Sequence, residues 1–438
     1  MNDTGIGWGR HPRLPPARQV VLRDRNAALP QTSTTLLPHG LGRSYGDSCQ
    51  NGDGTLLLTR GLDRFIHFDR EAGVLACEAG VSLDEILRLV VPHGWFLPAV
   101  PGTRFVTVGG AIANDVHGKN HHRAGSFGRH VRRFELLRSD GRRLVCSPEE
   151  NTGLFEATIG GLGLTGLMTW AEIRLAPIPG PWMQVEHVRF AGLDEFFALS
   201  EASANSHEHS VAWIDCLARG NKAGRGIFSR ANFVADSRPA RQLAPPRLAV
   251  PFTPPVPMIG GLGARFFNGA WYRRPLRRPR RQPYAPFLFP LDGIAEWNRL
   301  YGPRGFLQHQ CVIPPESERD AVQELLHAVA SAGSGSFLAV LKRFGDLPSP
   351  GLLSFARPGT TLALDFPNRG DATLSLLDRL DGVVAAAGGA VYPAKDARMS
   401  GRHFRQFFPR WPAFDQLRDP AFSSSFWRRV MTGSGRMQ

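Results

Sequence analysis

"PGTRFVTVGGAIANDVHGKNHHRAGSFGRH", Pro101 to His130, is the stretch on which the fold turns. It carries six glycines and four histidines in thirty residues, and a single acid, Asp115. Three readings are open from these residues alone: a metal site, a phosphate cradle, or a polar loop. A histidine metal site calls for an HExxH helix or cysteine support. Neither is present, and the five cysteines (Cys49, Cys77, Cys146, Cys216 and Cys311) lie far apart with no CxxC pair. His121 and His122 are adjacent, so in a strand they point to opposite faces. His117, His121, His122 and His130 are therefore expected to hydrogen-bond locally or to contact phosphate, and no metal is expected.

Two other glycine strings change the weight of this one. "PHGLGRSYGD" places Gly40, Gly42 and Gly46, and "GGLGLTG" places Gly160, Gly161, Gly163 and Gly166. Glycine lets backbone N–H groups approach phosphate oxygens without side-chain interference. None of the strings is a Rossmann GxGxxG or a Walker GxxxxGK[ST]. One alone reads as a tight turn. Three, each following an extended segment, favour a bound dinucleotide.

The bulk properties are consistent with a two-domain globular protein. At 438 residues the chain exceeds one ordinary core. Forty-eight glycines and 35 prolines imply many turns, as in sheet-rich α+β architecture. A formal charge of +14 favours anionic partners: nucleic acid, phosphorylated substrates or an anionic membrane surface. The first residues show no apolar core after their charges, so no signal peptide is expected. No run of eighteen apolar residues is present, so no spanning helix is expected either. With no disulfide framework, a reducing, cytoplasmic location is the simplest expectation.

Along the chain, "TLLLTRGL", "RFIHFD" and "VLACEAGV" read as short strands. Ser82 and Glu85 predict a capping box opening a helix at "SLDEILRLVVPHG". Ser147, Pro148 and Glu150 predict the same device at "SPEENTGLFEATIGG". A domain boundary is expected near Pro179. Beyond it come strand-like "SVAWIDCLA", "FLQHQCVIP" and "SFLAVLKRFG" and a helix at "SERDAVQELLHAVASAG", an α+β unit of a second kind. Ser237 to Pro283 reads largely as a long mobile excursion, rich in proline and arginine.

"HGLGRSYGD", "VPGTRFVTVGGAIANDVHGKNHHRAGSFGRHV" and "ATIGGLGLTGLM" resemble the FAD-binding half of the vanillyl-alcohol-oxidase, or PCMH-type, flavoproteins. Through "AWIDC", "PLDGIAEWNRLYGPRGFLQHQCVIP", "LDFP" and "VYPAKDAR" the likeness extends to the branch that oxidises polyprenyl-phosphoryl ribose. The resemblance implies a two-domain α+β fold. Residues 1–180 would form the FAD-binding domain, 181–389 a substrate (cap) domain with an antiparallel sheet, and 390–438 a segment completing the FAD domain.

The resemblance also implies the site. FAD would contact Gly40, Leu41, Gly42, Arg43, Ser44 and Tyr45, then Pro101, Gly102, Thr103, Thr107, Gly109 and Gly110, with Asn114, Gly118, Asn120, Gly125, Ile173 and Lys395 nearby. Many relatives carry a flavin-linking histidine where this chain has Arg43, so noncovalent FAD is expected. Lys395 and Lys342 match family lysines beside flavin and substrate, and His117 and Lys119 would share the catalytic end. Lys119, Trp213, Gln308, Gln310, Lys342 and Asp365 would hold substrate. Gln308 and Gln310 flank His309 and so share one strand face. Ala363 stands where mycobacterial members have cysteine, and Leu288 and Phe289 where they have Tyr-His. The latter pair is expected to make the pocket more apolar.

The expected reaction is oxidation of the C2 hydroxyl of a polyprenyl-phosphate-linked ribose, completed by a short-chain NADH-dependent keto-reductase into the arabinose donor for cell-wall polymers. Two alternatives remain: an aldonolactone or sugar-alcohol oxidase with a soluble substrate, and a non-catalytic flavoprotein scaffold for a partner reductase. The run Arg273, Arg274, Arg277, Arg278, Arg280 and Arg281 lacks any stacking motif or DNA-binding module, so no nucleic acid is expected. Attraction to an anionic inner-membrane surface, worth about 1 kcal/mol per basic residue, suits a lipid-phosphate substrate.

Overall fold

The computed structural model describes residues 5–236, 238, 246, 248–259, 261–335 and 338–432. Among the described residues, two larger sheets and the short pair Trp95–Phe96 with Ala176–Pro177 build the N-terminal part. Arg18–Val21 and Leu36–His39 flank Thr55–Leu58 in a parallel three-stranded sheet. A five-stranded antiparallel sheet runs in the order Phe65–Asp69, Val74–Glu78, Leu167–Arg174, Val131–Leu137, Arg143–Cys146. All five residues of Val74–Glu78 are buried, which explains why "VLACE" reads as a continuous run rather than an alternation. Helix Leu83–Val90 opens with both arms of the Ser82–Glu85 capping box made, and it buries Leu83, Ile86, Leu87 and Val90.

The second box does not form. Ser147 Oγ accepts from the Glu149 and Glu150 amides, closing a local turn. The helix begins only at Thr152, after Asn151 in the left-handed region at φ 51°. A serine side chain satisfies a turn as well as a helix start, so the pattern alone does not choose.

From Trp182 the chain builds one antiparallel eight-stranded sheet. Its order is Arg280–Pro283, Trp182–Phe190, Gly226–Val234, His209–Ile214, Ala339–Phe344, Gly359–Pro367, Phe306–Ile313, Ala390–Val391. One face packs under helices Leu193–Ala204, Glu318–Ala332 and Asp371–Ala386 through Phe196, Leu325, Leu377, Leu341 and Leu364. The other face looks into a large cavity shared with the glycine loops.

The last stretch serves both parts. Ala390–Val391 adds an edge to the large sheet, while helix Ser425–Thr432 returns to the N-terminal part. There Leu36 N donates to Ala421 O and Ser425 N to Gln50 O.

The expected excursion is more ordered than proline content suggests. Residues 237, 239–245, 247 and 260 lie outside the described residues. The rest contains helix Gly261–Arg273, and Arg280–Pro283 pairs as an edge strand with Trp182–Val185. Ala264 and Asn268 are buried four residues apart, a helical stripe hidden among glycines. An edge position tolerates Pro283, whose missing N–H costs no central ladder bond.

Candidate active site

The glycine loops meet at the cavity floor. Gly42 sits at φ +61°, in the left-handed region that an L side chain rarely adopts. Thr107 caps helix Val108–Ala113 by accepting from Gly110 N, and a Cβ on Gly40 would lie 2.4 Å from Thr107 Oγ1. The Gly40–Tyr45 and Pro101–Gly110 loops are thereby locked together. A Cβ on Gly102 would meet nothing within 4 Å, so this backbone faces open space.

That space suits a dinucleotide. The cavity is about 1140 Å³, above the ~300–1,000 Å³ of ordinary small-molecule pockets. Among the described residues, Arg43 Nε and His117 Nδ1 are buried on its wall with no hydrogen-bond partner. Buried polar atoms are normally satisfied, so both point to a ligand. The Arg43 guanidinium lies 3.9 Å from the Trp8 ring centroid. An arginine at this position cannot make the covalent flavin link that the family resemblance assigns to a histidine there. Acid precipitation is therefore expected to leave the yellow colour in the supernatant; colour in the pellet would refute noncovalent binding.

The opposite wall is the open face of the eight-stranded sheet. Gln308, Gln310, Lys342, Ala363 and Asp365 project from three neighbouring strands, and Trp213 from a fourth. The two-residue period puts them on one face. Gln310 Nε2 donates to His117 Nε2 at 2.9 Å and to Thr361 Oγ1 at 3.2 Å. Burial, helped by the nearby Lys342, His121 and Lys395, holds His117 well below the usual histidine range and neutral. It is not an acid poised near neutrality.

Three lysines converge. Lys119 Nζ donates to Leu288 O at 2.6 Å, and burial with the nearby Lys342 lowers it to about 7 despite Asp292. Lys342 Nζ reaches Gly118 O at 3.5 Å, and burial lowers it to about 8. Lys395 Nζ sits 3.7 Å from the Tyr45 ring centroid. Burial brings it to about 7, with Asp365 opposing and Lys342 assisting. Asp365 accepts from Gln308 and, at 3.3 Å, from the Tyr301 hydroxyl. Its own burial raises it to about 7. The Asp365 charge thus opposes the effect of burial on Lys395, and Lys395 opposes it on Asp365.

Not every expected residue reaches the cavity. Asn114 does, its Nδ2 donating to Gly110 O. Asn120 is buried behind the wall with Nδ2 on Pro98 O. Gly125, at φ +71°, turns the chain against Arg129, and Ile173 lies inside the five-stranded sheet between Leu75 and Val131. Leu288 and Phe289 are buried in the N-terminal core, 1% and 2% exposed, and Leu288 offers the site only its carbonyl. They do not make the pocket more apolar. Ala363 does line the wall, opposite Gln310.

The histidines resolve individually. His121–Ala124 is a helical turn, so His121 and His122 are not on opposite strand faces. His121 Nδ1 accepts from Gly345 N, His122 donates to His207 O and His130 to Ala124 O. Among the described residues, no group of three or more metal-binding side chains assembles.

Sequence reading missed a clasp beneath the floor. Arg429 takes both Asp47 oxygens at 2.8 Å and Asp396 Oδ2 at 2.9 Å, all three side chains being almost fully buried. Tyr45 N donates to Ala394 O, and a Cβ on Gly46 would lie 1.7 Å from Asp396 O. The loop holding Lys395 is thus fastened to the loop ending at Asp47. Asp292 was also missed: it accepts from the Arg104 amide at 2.9 Å and lines the cavity.

A model of the FAD binding domain matches residues 22–147. The decaprenylphosphoryl-β-D-ribose oxidase of Mycolicibacterium smegmatis is 36% identical over 97% of this chain and 96% of its own. An uncharacterised Streptomyces coelicolor protein is 37% identical over 80% of this chain and all of its own. Cytokinin dehydrogenase 8 of rice is 29% identical over 41% of this chain and 36% of its own. Such similarity along two nearly complete chains, joined to a cavity built from glycine loops and a lysine-bearing sheet, places this FAD-dependent oxidoreductase in the decaprenylphosphoryl-β-D-ribose oxidase family, with its PCMH-type α+β fold.

Proposed function

We propose that the protein oxidises the C2 hydroxyl of a polyprenyl-phosphoryl-β-D-ribose to the 2-keto sugar. A short-chain NADH-dependent reductase would then return the inverted alcohol, the arabinose donor for cell-wall or surface polysaccharide. The observation that carries the reading is the wall of Lys395, Lys342, Lys119, Gln308 and Gln310 facing the glycine loops across one cavity. Bound FAD supplies the acceptor for the hydride leaving the carbinol carbon. Lys395, brought to about 7, takes the hydroxyl proton. A bound sugar phosphate would raise Lys119 and Lys342 and hold them charged beside it, and Gln308 and Gln310 offer amides to its hydroxyls.

The reading places the enzyme on the inner membrane's cytoplasmic surface, held by its basic segment. Among the described residues no helix is long and apolar enough to cross a membrane. Anaerobic mixing with candidate substrates tests the reaction. Polyprenyl-phosphoryl ribose should bleach the flavin. Bleaching by a soluble aldonolactone alone would overturn the lipid-linked substrate, and no bleaching by either would favour a non-catalytic scaffold.

A further inference from the structure

The apolar surface of this molecule is unevenly distributed. Among the described residues, eleven large apolar side chains stand exposed, and eight of them lie between Leu248 and Ile294. They include Phe252, Val256, Met258 and Phe266, each more than 60% exposed. Scattered exposed apolar residues need no explanation, but a contiguous cluster does.

Helix Gly261–Arg273 shows how the cluster is presented. Its inward face carries Ala264, Asn268 and Tyr272; Asn268 bonds Asp215 at 3.1 Å and Tyr272 the Phe190 carbonyl at 3.4 Å. Phe266, Phe267 and Trp271 take the outward face, the last two stacked with centroids 5.8 Å apart. A surface helix with polar anchors inside and aromatics outside reverses the usual pattern. Phe267, Trp271 and Ile294 also line the cavity, so this face is its rim.

The charge identifies what covers the face. From Leu248 to Pro283 the sequence holds seven arginines and no aspartate or glutamate. Among the described residues, Arg281 alone of these has a carboxylate within 4 Å, Asp236 at 3.7 Å. Aromatic and aliphatic side chains ringed by arginine are the composition of a helix lying in a membrane interface. A second copy would bring the same arginines and a net charge of +14.

We propose that helix Gly261–Arg273 and the Phe252–Met258 loop insert into an anionic phospholipid leaflet, setting the cavity mouth on the bilayer. Resting on the lipid-linked substrate proposed above, this arrangement lets the polyprenyl chain stay in the membrane while its sugar phosphate enters. Attachment is then partly hydrophobic, beyond the attraction of the arginine run.

The test is sedimentation of the full FAD-loaded chain with substrate-free vesicles. Wild type should bind equimolar phosphatidylcholine–phosphatidylglycerol and bind pure phosphatidylcholine weakly. The double variant Phe266→Asp, Met258→Asp, at exposed positions off the cavity wall, should lose binding on the order of a hundredfold. Its FAD content and melting temperature should match wild type, which separates lost docking from misfolding. No binding by wild type, or undiminished binding by the variant, overturns the proposal. So does a wild-type dimer on size exclusion that the variant abolishes, since the occupant would then be a second copy. Because the vesicles carry no substrate, failure here leaves the reaction standing, and failure of flavin bleaching leaves the surface standing.

Discussion

Lys395→Ala slows reduction of the bound flavin by about 10²–10⁴-fold, the range of a lost general base. The expectation rests on position and on protonation together. Lys395 lies on the cavity wall over the Tyr45 ring, and among the described residues its Nζ makes no hydrogen bond. It is therefore free to meet a substrate hydroxyl. Burial, with Lys342 nearby, lowers it to about 7, while Asp365 pulls the other way. The neutral amine is the form that accepts a proton, so the wild-type rate should rise with pH through about 7 and level above it. In the alanine variant that rise should disappear. FAD occupancy should persist, because the glycine loops, not this side chain, form the cradle. Anaerobic stopped-flow on fully loaded variant across pH is the measurement. A near-wild-type rate would remove Lys395 from the chemistry and pass the role to Lys119 or Lys342.

The second large effect is on stability and FAD retention. Arg429→Met leaves Asp47 and Asp396 facing each other in a buried site, each at most 3% exposed. Removing one partner of a buried pair costs about 3–5 kcal/mol, because the remaining charge has no water to return to. The melting temperature should fall on the order of 10 °C. FAD affinity should fall with it, since Asp47 closes the Gly40–Gly46 loop and Asp396 neighbours Lys395. Arg142→Met is the contrast. Its pair with Asp140 stands in solvent, 65% and 47% exposed, where water screens the charges, so its loss should leave the melting temperature nearly unchanged. Thermal unfolding and FAD titration of both variants decide the matter; equal melting temperatures would show that the clasp contributes no more than a surface pair.

These two expectations differ in how far sequence alone reaches them. Lys395 follows a strand-like run and matches a family lysine, so it is found by reading forward. Its proton affinity is not, because that depends on burial by Tyr45, on Asp365 and on Lys342, from three other segments. Arg429 has no local signature. It sits 382 positions from Asp47, and only chain closure brings the two together. The Ser147 box failed for the opposite reason: its local signature was genuine, but a turn satisfied it.

What the sequence by itself determined is therefore the set of features whose cause lies within a few residues. The glycine loops, the Ser82–Glu85 cap, helix Glu318–Ala332 and the shared face of Gln308 and Gln310 are of this kind, since backbone freedom, capping and two-residue alternation act locally. Only the tertiary structure decided which of these faces the cavity. It turned Leu288 and Phe289 into the core, set Asn120, Gly125 and Ile173 away from the cavity wall, and left Phe266 in the open. The physical reason is that burial belongs to the packed whole: the same side chain is core, wall or rim according to what the rest of the chain lays against it.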